Sequence, residues 1–284
     1  MSGDAIALVL LSAFAHAGWN FLTKRSPVPL VFTWGMALAV NLALLPLAVA
    51  LFVREPPDAT GWTLIAASWC VHLLYFLALA RGYTVGDLSV VYPVARGTGV
   101  ALIPILGILF LDETVSAWAV LAVALIVGGI AVLGSTGLAG ARLRPAGIEF
   151  ALLTGLTIAT YSTIDARGAD EVNPLLYVYL LTSAGTLGLL PITLSFFGRE
   201  ALTAAWHSER VAILAGGLLQ FLAYALVLFV LQDEQVSYVG PFRETALVIG
   251  VILGALFLNE QAAKQRIAGA AIIVAGALTM AFAP

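Results

Sequence analysis

RGTGVALIPILGILFLDE (96–113) and RETALVIGVILGALFLNE (243–260) are two versions of one segment, 147 residues apart. In ungapped register nine of their 18 positions are identical: Arg96/Arg243, Thr98/Thr245, Ile105/Ile252, Leu106/Leu253, Gly107/Gly254, Leu109/Leu256, Phe110/Phe257, Leu111/Leu258 and Glu113/Glu260. Coinciding leucines carry little weight in an apolar chain. Coincidence of an Arg, a Thr, a Gly and a Glu carries more. It predicts a chain of two related halves, 1–140 and 141–284.

The halves are membrane units. Of the 284 residues 61% are hydrophobic and 10% charged, where a soluble domain carries about 25% charged residues. Apolar runs of bilayer-spanning length recur along the whole chain. They place spans at 4–23, 29–53, 62–81, 87–111, 115–134, 146–165, 174–197, 211–231, 235–258 and 265–283. Each must be a helix, because lipid offers the backbone no other partner. The longest polar connection, GLAGARLRPAG (137–147), falls between spans five and six. Five spans per half is odd, so two tandem copies insert with opposite orientations, as in the inverted repeats of secondary transporters.

Loop charge orients the bundle. One side holds Arg54 and Arg167; the other holds Lys24, Arg25, Arg81, Arg142, Arg144, Arg199, Arg210, Lys264 and Arg266. The second side is therefore cytoplasmic, and both termini are extracytoplasmic in a bacterial-type inner membrane. The one cysteine, Cys70, excludes an intrachain disulfide and a CxxC metal pair. No GxxxxGK[ST], HExxH or GxGxxG motif is present, and no basic segment precedes the first apolar run as a signal peptide would require. A nucleotide-driven pump, a metal site and a cofactor are not expected.

Span four ending LGILFLDE, a Gly-Gly pair in the next span (Gly128, Gly129), a weaker second copy, and HAGWNFLTK (16–24) in span one together resemble the drug/metabolite transporter superfamily, EamA type. The resemblance covers the whole chain, and the xLFLxE ending of both halves is its most specific motif. It implies ten helices in two inverted five-helix repeats around a central cavity lined by spans one, three, four, six, eight and nine. The first half also resembles a small multidrug resistance subunit. There a carboxylate in span one precedes a Lys by eight residues; here His16 holds that position before Lys24, and a His supplies no fixed countercharge for a lipophilic cation. Aromatic amino-acid exporters of this fold line the cavity with Trp and Tyr, which Trp19, Trp69, Tyr75, Tyr92, Tyr161, Tyr224 and Tyr238 permit.

Arg96 and Arg243 stand nine residues beyond Asp87 and Glu234. At ~1.5 Å per residue each is roughly 13 Å deep, where a lipid-facing charge costs about 2.5–3.5 kcal/mol. Pro93 and Pro241 lie just before them, so both spans are expected to bend there. Two readings stand for the arginines: contact with an anionic substrate group, or a structural network with Glu244, which could bridge across to Arg96. Tyr92, Tyr238, Asn20, Trp19, Tyr75, Tyr161, Gln220 and Tyr224 complete the expected substrate set. His16, His72 and Glu244 are the proton-coupling candidates, against the alternative of a neutral His bonded to a carbonyl. Lys24 and Asp165, at span ends, are expected to snorkel. Glu113 and Glu260 are expected to cap the next helix, and Asn41 is either a substrate contact or a helix-packing amide. Gly107, Gly128, Gly129, Gly254, Gly269 and Gly276 are expected at close helix crossings.

The sequence therefore predicts a secondary transporter for a small polar metabolite bearing a carboxylate or phosphate, an amino acid or a relative, with export suggested by the resemblance. It has no enzymatic chemistry, acts as a monomer, and its partners are the bilayer, the substrate and protons, not nucleic acid. A flippase for an anionic lipid-linked molecule and a multidrug or cation exporter are the alternatives.

Overall fold

The computed structural model describes residues 1–135, 145–257 and 264–283. Its elements are α1 (Gly3–Arg25), α2 (Pro29–Arg54), α3 (Ala59–Val85), α4 (Leu88–Phe110), α5 (Ala117–Ser135), α6 (Pro145–Glu171), α7 (Pro174–Leu231), α8 (Val236–Phe242), α9 (Thr245–Phe257) and α10 (Lys264–Ala281). Among the described residues there is no strand. Eight helical stretches are long and apolar enough to cross a membrane. Local signals set several starts. The Ser2 hydroxyl accepts from the Ala5 N–H at 3.2 Å, the Asp58 carboxylate from Gly61 at 2.7 Å and the Asn173 amide oxygen from Leu175 at 3.1 Å. Each satisfies a donor that the first helical turn leaves free.

The outer surface is apolar. Phe14, Phe110, Phe196 and Phe282 are all more than half exposed, which suits lipid and not water. Inside, the helices approach through small residues. At the α5–α10 crossing, a Cβ on Gly129 would lie 2.8 Å from the Gly269 carbonyl oxygen, and one on Gly276 2.9 Å from that of Ala122. In lipid such contact replaces the hydrophobic effect as the force between helices. Gly128, by contrast, faces open space and is no crossing point. Asn41 is a packing amide: its Nδ2 donates to Thr186 Oγ1 at 3.1 Å and its Oδ1 accepts from Thr182 Oγ1 at 2.9 Å, tying α2 to α7.

Three sequence expectations change. The link 198–210 is helical apart from Gly198, whose φ of 70° puts a turn inside the 58-residue α7; glycine alone takes that region without a Cβ penalty. Helix α6 runs on to Glu171, where Asn173-Pro174 stops it. Asp165 therefore sits well inside the helix, 1% exposed, and does not snorkel. The expected bends also differ. Helix α4 runs unbroken through Pro93 and Pro104, whereas the second copy of the segment is broken into α8 and α9. Pro93 falls early in α4, where the lost donor is close to the turn whose N–H groups are free anyway. Pro241 falls where the chain changes to three-residue bonding, Glu244 N–H to Pro241 O and Ala246 N–H to Arg243 O.

Candidate substrate cavity

A cavity of about 890 Å³ opens among α1, α3, α4, α6, the second part of α7, and α8–α9. Its lining residues run from Ser12 to Lys24 on α1, from Tyr75 to Tyr83 on α3, from Tyr92 to Ile103 on α4 and from Thr154 to Ser162 on α6. Gln220, Gly240 to Gly254, Leu133, Thr33 and Arg266 complete the wall. Most of these lie toward the ends of their helices that adjoin Lys24, Arg25, Arg81, Arg199, Arg210, Lys264 and Arg266.

The opposite ends are packed together. Val9, Ile65, Ala119, Val172, Leu228, Val236 and Val239 share one buried cluster there. Polar contacts close the same end: the Ser2 N–H donates to Glu234 at 2.6 Å, and the Ser116 N–H to the Tyr238 hydroxyl at 3.2 Å. Glu113 contributes most. Its carboxylate accepts from the N–H groups of Val236 (2.7 Å) and Ser237 (3.0 Å) and from the Ser237 hydroxyl. It thus caps α8 of the second half and not α5, the next helix in sequence. Asp112, with φ of 54°, turns the chain back. Gly107 has no side chain because a Cβ would strike both the Glu113 carboxylate and the Ser237 hydroxyl. In the first copy the GILFLDE ending is therefore a folded-back carboxylate. Asp and Asn, the two residues that vary before the Glu, are the non-glycine types that tolerate the left-handed region. Glu260 lies outside the described residues.

Ten of the sequence-predicted site residues line the cavity: His16, Trp19, Asn20, Tyr75, Tyr92, Arg96, Tyr161, Gln220, Arg243 and Glu244. Tyr75 and Tyr161 meet edge to face with centroids 5.8 Å apart, as do His16 and Trp19 at 5.2 Å. Asn20 spends one amide donor on the His16 carbonyl at 2.8 Å. Three predicted residues lie elsewhere. Tyr238 is buried in the closed end. Tyr224 and His72 lie behind the wall, their rings 6.4 Å apart, with His72 stacked on Tyr161 at 4.0 Å.

The two arginines, equivalent in sequence, differ in surroundings. Arg96 Nη1 is 3.5 Å from Glu244 Oε1, and its guanidinium lies over Tyr92 at 5.9 Å. Glu244 is 6% exposed, and its Oε2 is buried without a hydrogen-bond partner. Arg243 lies over the ring of Tyr224 at 5.5 Å. Among the described residues no carboxylate comes within ion-pair distance of it. Adjacent residues of one helix point about 100° apart, which is why Glu244 reaches across the cavity to Arg96 and not to its neighbour.

Sequence reasoning placed one charged residue, Asp165, at a span end and so outside the site. Its Oδ1 accepts from the Ser68 hydroxyl and from the Tyr177 hydroxyl at 2.8 Å, and its Oδ2 accepts from the Tyr224 hydroxyl. Ending span six at 165 hid it. The available signal was the helical i, i+4, i+8 spacing of Thr157, Tyr161 and Asp165, with no breaker before Asn173-Pro174.

An apolar, multi-helix exterior around a cavity that holds arginines, tyrosines and amides is the architecture of a multi-pass membrane protein. Residues 145–282 match the model of the EamA-like transporter family, and residues 35–126 match that of the Small Multidrug Resistance protein. Both matches support a transporter of the drug/metabolite transporter superfamily. A crystal structure of a protein with 17% identity superposes over 98% of this chain and 96% of its own, with a TM-score of 0.73, a likeness of fold. No curated protein matches the chain.

Proposed function

We propose that the protein is an inner-membrane secondary transporter that exports a small polar metabolite bearing a carboxylate or phosphate, an amino acid or a relative, by alternating access. The observation that carries this reading is Arg243, a guanidinium on the cavity wall with no carboxylate within ion-pair distance among the described residues. Guanidinium stays charged in any protein setting and forks onto carboxylate or phosphate. An anionic substrate group would complete its neutralisation. Trp19, Tyr75, Tyr92 and Tyr161 supply flat apolar wall for the remainder of the ligand, and Asn20 and Gln220 supply amides. His16 and Glu244, on the same wall, are candidates for moving a proton.

Packing supports ten crossings in two inverted repeats, 1–140 and 141–284. Helix α5 pairs with α10 and α2 with α7; α3 and α4 pack on α6, while the second part of α7 and α9 pack on α1. Exchanging the halves maps this contact pattern onto itself. Helix α7 must cross twice, because α6 leaves the basic side and α9 returns to it. Its 58 residues, at ~1.5 Å each, far exceed one bilayer thickness. With the basic loops cytoplasmic, the cavity opens inward, the Glu113–Ser237 closure is extracytoplasmic, and both termini are outside.

Proteoliposomes loaded with radiolabelled L-phenylalanine, L-malate or tetraphenylphosphonium test the substrate class. Efflux of a carboxylate that falls in Arg243→Gln supports the reading. Efflux of the cation alone, unchanged by Arg243→Gln, overturns it.

A further inference from the structure

Behind the cavity wall, toward the closed end, Asp165 holds three helical segments together. Ser68 comes from α3, Tyr177 from the first part of α7 and Tyr224 from the second. Ser68 Oγ also lies 3.2 Å from His72 Nδ1, which is 2.9 Å from the Ser68 carbonyl. Asp165 is 1% exposed, yet it is not sealed from the cavity. A void of about 10 Å³ is lined by Ser162, Asp165, Tyr224, Gly240 and Arg243, among others, room for about one water. Ser162, Gly240 and Arg243 line the substrate cavity as well, so the void adjoins it.

Three hydroxyl donors converge on one carboxylate. That pattern suits the ionised form, which only accepts. A protonated carboxyl carries an O–H of its own, and at least one of the three hydroxyls must then turn away. Tyr224 is the hydroxyl with a second consequence, because its ring supports the Arg243 guanidinium. We propose that Asp165 is a proton-binding site of the transport cycle, linked through Tyr224 to whatever anion occupies Arg243. The proposal rests on the substrate reading of Arg243.

The sign of the linkage follows from charge. An ionised Asp165 and an anion at Arg243 compete for one guanidinium. A proton on Asp165 and an anion on Arg243 therefore favour each other, and linkage makes the effect reciprocal. The proton comes from water in the cavity through the one-water void, bonds to a carboxylate oxygen of Asp165, and leaves when the anion leaves. A monoanion and its proton cross together with no net charge. The groups facing Asp165 are His72 on α3, Tyr161 on its own helix, Tyr177 and Tyr224 on α7, and Arg243 at the α8–α9 junction. Arg96 of α4 is already paired with Glu244.

The test reads the proton directly and needs no substrate. Purified wild-type protein, Asp165→Asn and Arg243→Gln are titrated toward acid while infrared difference spectra follow the protonated-carboxyl stretch. The expected result is an acid-induced band in wild type that is missing from Asp165→Asn and is stronger at each acid pH in Arg243→Gln. If Asp165→Asn fails to fold, Tyr224→Phe, which removes one donor, must change the pH at which the wild-type band appears. A band that survives in Asp165→Asn, or one indifferent to Arg243→Gln and Tyr224→Phe, overturns the proposal and leaves Asp165 a permanently ionised tie. Loss of carboxylate flux in Arg243→Gln with no such band would retain the substrate reading and reject this one.

Discussion

The two copies of the repeated segment began as one sequence and now do different things. In the first, Arg96 sits in an unbroken helix, α4, and is met by a carboxylate from the other half. In the second, Arg243 sits at the break between α8 and α9, with no carboxylate within ion-pair distance among the described residues. One guanidinium is paired with Glu244; the other lies over the Tyr224 ring on the cavity wall. One replacement inside the repeat and one shifted proline just before it accompany the difference. Glu244 stands where the first copy has Gly97, and Pro241 lies one position later in the register than Pro93. Symmetry supplies two cations, and asymmetry decides which one is available.

The comparison is easiest to break through Arg96. Removing it leaves Glu244 buried without its partner, an uncompensated charge worth about 3–5 kcal/mol. Arg96→Gln is expected to lower thermal stability strongly, and adding Glu244→Gln to restore much of it. If the single variant melts like wild type, the pair is not what holds α4 to the α8–α9 junction.

Arg243→Gln should behave in the opposite way. It leaves no carboxylate stranded among the described residues, so stability should hold. Carboxylate binding should weaken by about ten- to hundred-fold, the loss of one charge-assisted contact of roughly 1.5–3 kcal/mol. Lys in that place should rescue poorly because it cannot fork. Calorimetric titration of both variants beside their melting curves checks the contrast, and equal losses of binding at Arg96 and Arg243 would erase it.

Glu113 extends the comparison to the closed end. Glu113→Ala removes the acceptor for two backbone N–H groups and the Ser237 hydroxyl. It should shift the protein toward a form open at that end, seen as a longer distance between spin labels placed on the α4–α5 and α7–α8 turns. Ser237→Ala loses one of these bonds, about 1 kcal/mol, and should give a smaller shift. An unchanged distance in Glu113→Ala would make the cap a local feature of α8. The smallest change is a reporter at the C-terminus, which leaves the fold as it is and should read as extracytoplasmic. A cytoplasmic reading from an active fusion reverses the orientation and keeps the arginine contrast.

How much was legible follows from which interactions are local. Bilayer-length apolar runs and the repeated segment could be read directly, because lipid punishes polar backbone wherever it falls and repetition is visible along the chain. Ten of the proposed cavity residues line one cavity: helical spacing puts His16, Trp19 and Asn20, and Tyr92 and Arg96, on one face of their own helices, and packing brings those faces together. Tyr238 went elsewhere: helix α8 turns its hydroxyl to Ser116. Glu113 could be read as a cap, but its helix could not, since α8 lies 123 residues away from it.

By itself the sequence determined a two-part apolar bundle with paired intramembrane arginines, because periodicity, hydropathy and repetition are properties of short stretches of chain. Only the tertiary structure decided that Glu244 serves Arg96, that Arg243 faces the cavity with no ion-pair partner among the described residues, and that Asp165 is buried among three hydroxyls. Those outcomes depend on which helices face each other. A charge in a low-dielectric interior takes whatever partner the packing brings within a few ångströms, and no spacing along the chain encodes that distance.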